Sequence, residues 1–145
     1  MPSLGDAFTT KEARLTRQPT FVWPTIRADN ARGLIDFLVR AFGFVEVVAH
    51  GTDGHVDHAE VAWPLGGGIM VGSHRDEGDD HWPIAPGSAG TYVVAEKIDE
   101  LFEHAVAQGP TVVLSPRDTD HGSREFIVRD IEGNRWSFGT YRGAP

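Results

Sequence analysis

What most constrains this chain is a pattern of elements that is written twice. Phe21–Ile26 reads as a strand, with Pro24 marking an edge because it cannot donate to a ladder. Asp29 or Asn30 can cap the helix that follows. Ala31, Leu34, Ile35, Leu38, Ala41 and Phe42 recur at helical spacing, and Gly43 ends the helix. Three strands are predicted next, Phe44–His50, Val56–Trp63 and Gly68–Ser73, with Thr52-Asp53-Gly54 and Pro64–Gly67 as turns. The order then repeats: a strand over Ala89–Ala95, a helix with Ile98, Leu101, Phe102 and Ala105 on one face, Gly109, and strands at Thr111–Leu114, Glu125–Arg129 and Arg135–Tyr141. Asp29 and Glu96 are 67 residues apart, Gly43 and Gly109 are 66 apart, and Glu60 and Glu125 are 65 apart.

The pattern is βαβββ twice, an α+β class. One four-stranded module with one helix buries little by itself. Two modules set edge to edge would curl a mixed sheet around a shared cavity, with the helices outside, at residues 30–42 and 97–108. The expected organisation is a flexible N-terminal arm over residues 1–18 and a single domain over 19–143. Within it, module 1 covers about 20–74, an acidic Gly- and Pro-rich linker 75–87, and module 2 about 88–142.

Composition narrows the function. With 145 residues, 40% hydrophobic and 23% charged, the chain suits one soluble domain. No apolar run reaches the roughly 18 residues of a membrane span. MPSLGDAFTTKEARLTRQ has no apolar signal core, so the expected location is cytoplasmic. The absence of cysteine removes disulfides and thiolate metal sites. A net charge of −8 with no basic stripe argues against nucleic acid as a partner, and no membrane partner is expected.

Three stretches, IRADNARGLIDFLVRAFGF, HAEVAWPLGGGIMVGS and SREFIVRDIEGNRWSFGTY, resemble the vicinal oxygen chelate superfamily. This is the group of glyoxalase I, extradiol dioxygenases and bleomycin-resistance proteins. The resemblance covers about residues 20–142 and implies the glyoxalase/bleomycin-resistance fold. The metal enzymes of that group hold a divalent ion with side chains from the first, fourth, fifth and eighth strands. Carried over, these places fall on Trp23, on Val71 give or take one residue, on Thr91 and on Ser137. None is an imidazole or a carboxylate, and a Zn²⁺, Ni²⁺ or Fe²⁺ site needs at least three such donors. Ser137 stands where a carboxylate would be, and a serine is satisfied there by one neighbour or a water. It can equally be a small residue filling space between Trp136 and Phe138.

His58 and Glu60, two apart on one strand, share a face. They can start a metal site, form an acid–base pair, or make cross-strand hydrogen bonds. Glu125, at the matching point of module 2, reads as a strand residue paired with Arg124 or Arg129. His50, His55, His74 and His81 lie near turns and read as solvated, while Trp63, Trp82 and Tyr141 can wall a pocket. Gly66-Gly67-Gly68 lacks the Lys-Ser/Thr continuation of a phosphate loop.

The expected cavity lining is therefore Trp23, Thr25, His58, Glu60, Val71, Thr91 and Ser137. The expected function is metal-free and cofactor-free binding of a small organic molecule, aromatic or cationic, by a homodimer. The alternatives are a metal-dependent lyase or dioxygenase with its site relocated to His58 and Glu60, and a cofactor-free acid–base enzyme using Glu60.

Overall fold

The computed structural model describes residues 20–75 and 81–145; the expected arm and the middle of the acidic linker lie outside them. Module 1 runs β1 (Thr25–Ala28), α1 (Ala31–Phe37, continued by a π-turn over Leu38–Phe42), β2 (Val45–Thr52), β3 (His55–Ala62) and β4 (Gly68–Ser73). Module 2 runs β5 (Gly90–Val94), α2 (Ile98–Val106), β6 (Thr111–Asp118), β7 (Arg124–Arg129) and β8 (Arg135–Gly139). The chain is α+β, two βαβββ modules, as its pattern requires.

Local chemistry sets the ends of α1. The Asn30 side chain accepts from Gly33 N, so Asn30 rather than Asp29 is the cap. Gly43 closes the π-turn at φ 92°, a left-handed conformation that a β-carbon would disfavour.

Each module folds into a four-stranded mixed sheet, β1-β4-β3-β2 and β5-β8-β7-β6, with the first strand parallel to the last and the other pairs antiparallel. The registers of β1, β3 and β4 superpose on those of β5, β7 and β8 with an offset of 67, and the start of β2 falls on β6 with an offset of 66. Thr25 pairs Met70 and Tyr92 pairs Ser137; Glu60 pairs Met70 and Ile127 pairs Ser137. Glu125 thus matches His58, and Glu60 matches Ile127. The 65-residue match of Glu60 to Glu125 counted charge rather than register and is corrected here.

The sheets stay separate: among the described residues no strand of one pairs with a strand of the other. This departs from the expected edge-to-edge sheet around one cavity. What joins the modules is a shared core. Ile26, Val71, Ala59 and Val61 from the first sheet and Phe126, Val128, Trp136 and Phe138 from the second belong to one buried cluster, together with α1. Phe42 lies 4.7 Å from Phe138 and 5.6 Å from Trp136, ring to ring. Phe44 is 5.5 Å from Trp136. Aromatics alternating along β8 leave one face too apolar for water, and the end of α1 covers it.

Polar clips hold the same junction. The Glu132 carboxylate accepts from Asp29 N (2.7 Å) and Asn30 N (3.1 Å), closing the start of α1 from the other module. Trp63 Nε1 donates to Val94 O (2.9 Å), and Arg40 Nε to Gln108 Oε1 (2.9 Å).

Candidate functional site: the polar sheet faces

Strand alternation gives each sheet one core face and one polar face. On β3, Ala59 and Val61 are buried, and His58 and Glu60, which alternate with them, are half-buried on the other side. Glu60 pairs with Met70 and Met70 with Thr25, so these three form a row on the polar face. Arg27 lies across Gly72, where an added β-carbon would come within 2.5 Å of its guanidinium. Trp23 lies across Gly68 in the same way, at 2.6 Å, and its indole donates to Thr20 O (3.0 Å). Glycines on β4 therefore let long side chains from the β1 segment lie flat. His58 Nε2 and Glu60 Oε2 are 2.8 Å apart, an ion pair when the imidazole is charged.

On module 2, Trp136 and Phe138 go to the core and Ser137 goes to the polar face with Tyr92 and Ile127 as cross-strand neighbours. A small hydroxyl between two aromatics is the alternation of an eighth strand, core and polar in turn. Glu125 shares this face, across from Gly139. Burial, first, pushes the Tyr92 hydroxyl above the usual tyrosine range, and the Glu125 charge adds to it; hydrogen bonds to Ser123 and the Tyr141 carbonyl oppose it.

The expected lining residues do not converge on one cavity. Trp23, Thr25, His58 and Glu60 share the face of module 1, and Ser137 is on the face of module 2. Val71 is in the core, 1% exposed, paired with Ile26 and Ala59. Thr91 pairs with Trp136 and so falls on the core side of β5. Both positions are corrected by one residue: Met70 and Tyr92 hold the polar-face places. The apolar run Ile69-Met70-Val71 hid this parity, because both faces carry apolar side chains there.

A cavity of about 500 Å³ opens elsewhere, between Val22, Pro24, Phe44 and Trp63 of module 1 and Thr91–Val94 of module 2, with Arg142. Of the expected lining residues, only Thr91 reaches it.

The donor chemistry does not fit a divalent metal. The polar-face places on the first, fourth, fifth and eighth strands are Thr25, Met70, Tyr92 and Ser137, hydroxyls and a thioether, and the carboxylate beside them in module 1 is that of Glu60, across from Met70. Among the described residues no group of three or more His, Asp or Glu side chains could hold an ion, so His58 and Glu60 gain no third donor there.

This fold and its paired registers define a protein of two fused βαβββ modules, and comparison with known sequences assigns it. The model of the glyoxalase/bleomycin resistance protein/dioxygenase superfamily matches residues 20–138, and the chain belongs to that superfamily. An uncharacterized protein of Mycobacterium bovis is 30% identical over 122 residues, covering 80% of this chain and 80% of its own. A Mycobacterium tuberculosis relative is also 30% identical, with 71% of its length covered. Among solved structures, TioX from Micromonospora sp. ML1 is 27% identical with a TM-score of 0.65, over 82% of this chain and 98% of TioX. A superfamily member from Sphaerobacter thermophilus has a TM-score of 0.63 at 21% identity, over 83% of this chain and 97% of that one.

Proposed function

We propose that the chain is a metal-independent small-molecule-binding protein that acts as a homodimer and sequesters an aromatic or cationic compound. The observation that carries this is the Thr25, Met70, Tyr92 and Ser137 row, which replaces a donor set with hydroxyl, thioether and ring surface. Trp23 and Tyr92 offer flat contact area, and Glu60 and Glu125 offer negative charge on the same faces, in a chain of net charge −8. Self-association is supported by what the single chain leaves uncovered. Phe21 and Val22 are 87% and 82% exposed, and β1 and β5 are each one of the two edge strands of a sheet.

A thermal-shift screen of aromatic cations such as berberine, run in EDTA, checks the reading. The wild type is stabilised, and Trp23→Ala weakens binding by roughly 1–3 kcal/mol if the ring is an anchor. A protein that responds to such compounds only when Zn²⁺ or Fe²⁺ is restored would contradict it. The His58–Glu60 pair favours one second reading, a cofactor-free acid–base enzyme, because a carboxylate 2.8 Å from an imidazole can hold it in one orientation. Glu60→Gln separates the two: a cation binder loses affinity, whereas an enzyme keeps its ligand and loses turnover.

A further inference from the structure

The polar face of module 2 holds a cluster that the sequence left among strand residues paired with arginine. Arg124 is engaged elsewhere: its guanidinium holds Asp99 (2.8 and 2.9 Å) and Asp118 (3.1 Å). Among the described residues, the ion pair that Glu125 makes is to His121, at 3.6 Å, longer than a hydrogen bond. The Glu125 side chain is nonetheless only 18% exposed. The Tyr92 hydroxyl, which meets Glu125 over Gly139, is also spoken for, because it donates to Tyr141 O (2.7 Å).

Glu125 has Arg117 across from it on β6 and Gly139 across from it on β8. Gly139 has no side chain, and an added β-carbon would lie 2.7 Å from Glu125 Cγ and 2.6 Å from Tyr92 Oη, so both side chains converge over that glycine. Tyr141 and His121 meet edge to face, with ring centroids 5.5 Å apart. Tyr92 and Tyr141 are 43% and 44% exposed, so their rings still have surface to offer. A largely buried carboxylate beside a half-exposed tyrosine ring attracts a soft cation twice, by charge and by the ring quadrupole. A small hydrated metal ion gains less, since one carboxylate offers too few donors.

We infer that Glu125, beside Tyr92 over Gly139 and next to the His121–Tyr141 ring pair, is a recognition site for an organic ammonium group. This deepens the proposed function and rests on it: it assigns the cationic end of the sequestered compound to module 2. His121 is the group such a cation would displace from Glu125.

Isothermal titration with benzyltrimethylammonium, against its neutral isostere neopentylbenzene in matched cosolvent, tests the inference on the full chain. The wild type binds the cation at least about tenfold more tightly than the isostere. Glu125→Gln erases that preference, and Tyr92→Leu reduces it. Glu103→Gln, exposed on α2 away from this face, leaves it within about twofold. Equal binding of cation and isostere, or a preference that survives Glu125→Gln, overturns the inference while leaving small-molecule binding intact. No binding of the cation by the wild type also overturns it. If Glu125→Gln fails to fold, Gly139→Ala, which wedges Tyr92 and Glu125 apart, must lower the preference in its place. A Glu125-dependent preference in a protein that proves metal-dependent or monomeric keeps the ammonium site and removes the proposed function instead.

Discussion

At Asp130 a buried carboxylate gathers the start of the β7–β8 turn. Its oxygens accept from Glu132 N (2.8 Å), Asn134 N (3.0 Å), Asn134 Nδ2 (3.0 Å) and Trp136 Nε1 (2.8 Å). Asn134 in turn accepts from Ala89 N (3.0 Å), and Glu132 caps α1 of the other module. Gly133 supplies the left-handed step at φ 100°. The RD-x-EGN-x-W stretch that carries the family resemblance is therefore a structural clamp, in which the side chains of Asp130, Glu132, Asn134 and Trp136 each have a partner in the fold. Asp130→Ala strands an indole N–H and two backbone N–H groups in the interior, and it costs about 2–4 kcal/mol in urea unfolding. Glu132→Ala removes only a cap shared with solvent and costs about 1 kcal/mol.

Strand parity decides where the side chains of β4 and β5 point, and there the sequence is hardest to read. The α1 helix was legible from its apolar spacing and from Gly43. The β3 strand was legible because His58 and Glu60 interrupt Val56, Ala59 and Val61. In Ile69-Met70-Val71 and Thr91-Tyr92-Val93 the two faces carry side chains of similar polarity, so nothing local marks the inward residue. Only pairing to Ala59 and to Trp136 settles it. The π-turn that brings Phe42 onto Phe138 was equally silent, since it answers a tertiary contact rather than a local preference. Parity makes a sharp prediction. Val71→Gln buries an amide without partners and costs about 2–4 kcal/mol, whereas Met70→Gln, on the polar face, changes stability by about 1 kcal/mol or less. Chemical denaturation of the two variants side by side checks it.

At the scale of the whole molecule, two sheets that pair separately share one core. Phe42→Ala, at the point where α1 meets β8, should cost about 3–5 kcal/mol and lower a single unfolding transition rather than split it in two. Calorimetry that resolved two transitions in the wild type would show modules that fold independently. On the proposed function the open polar faces and edge strands serve association and binding, and that binding is independent of metal. Native mass spectrometry of untagged protein, purified in EDTA, tests this most directly. The account predicts a dimer at twice the 15.8 kDa chain mass with no metal ion attached. A species that retains about one transition-metal ion per chain through EDTA would contradict it.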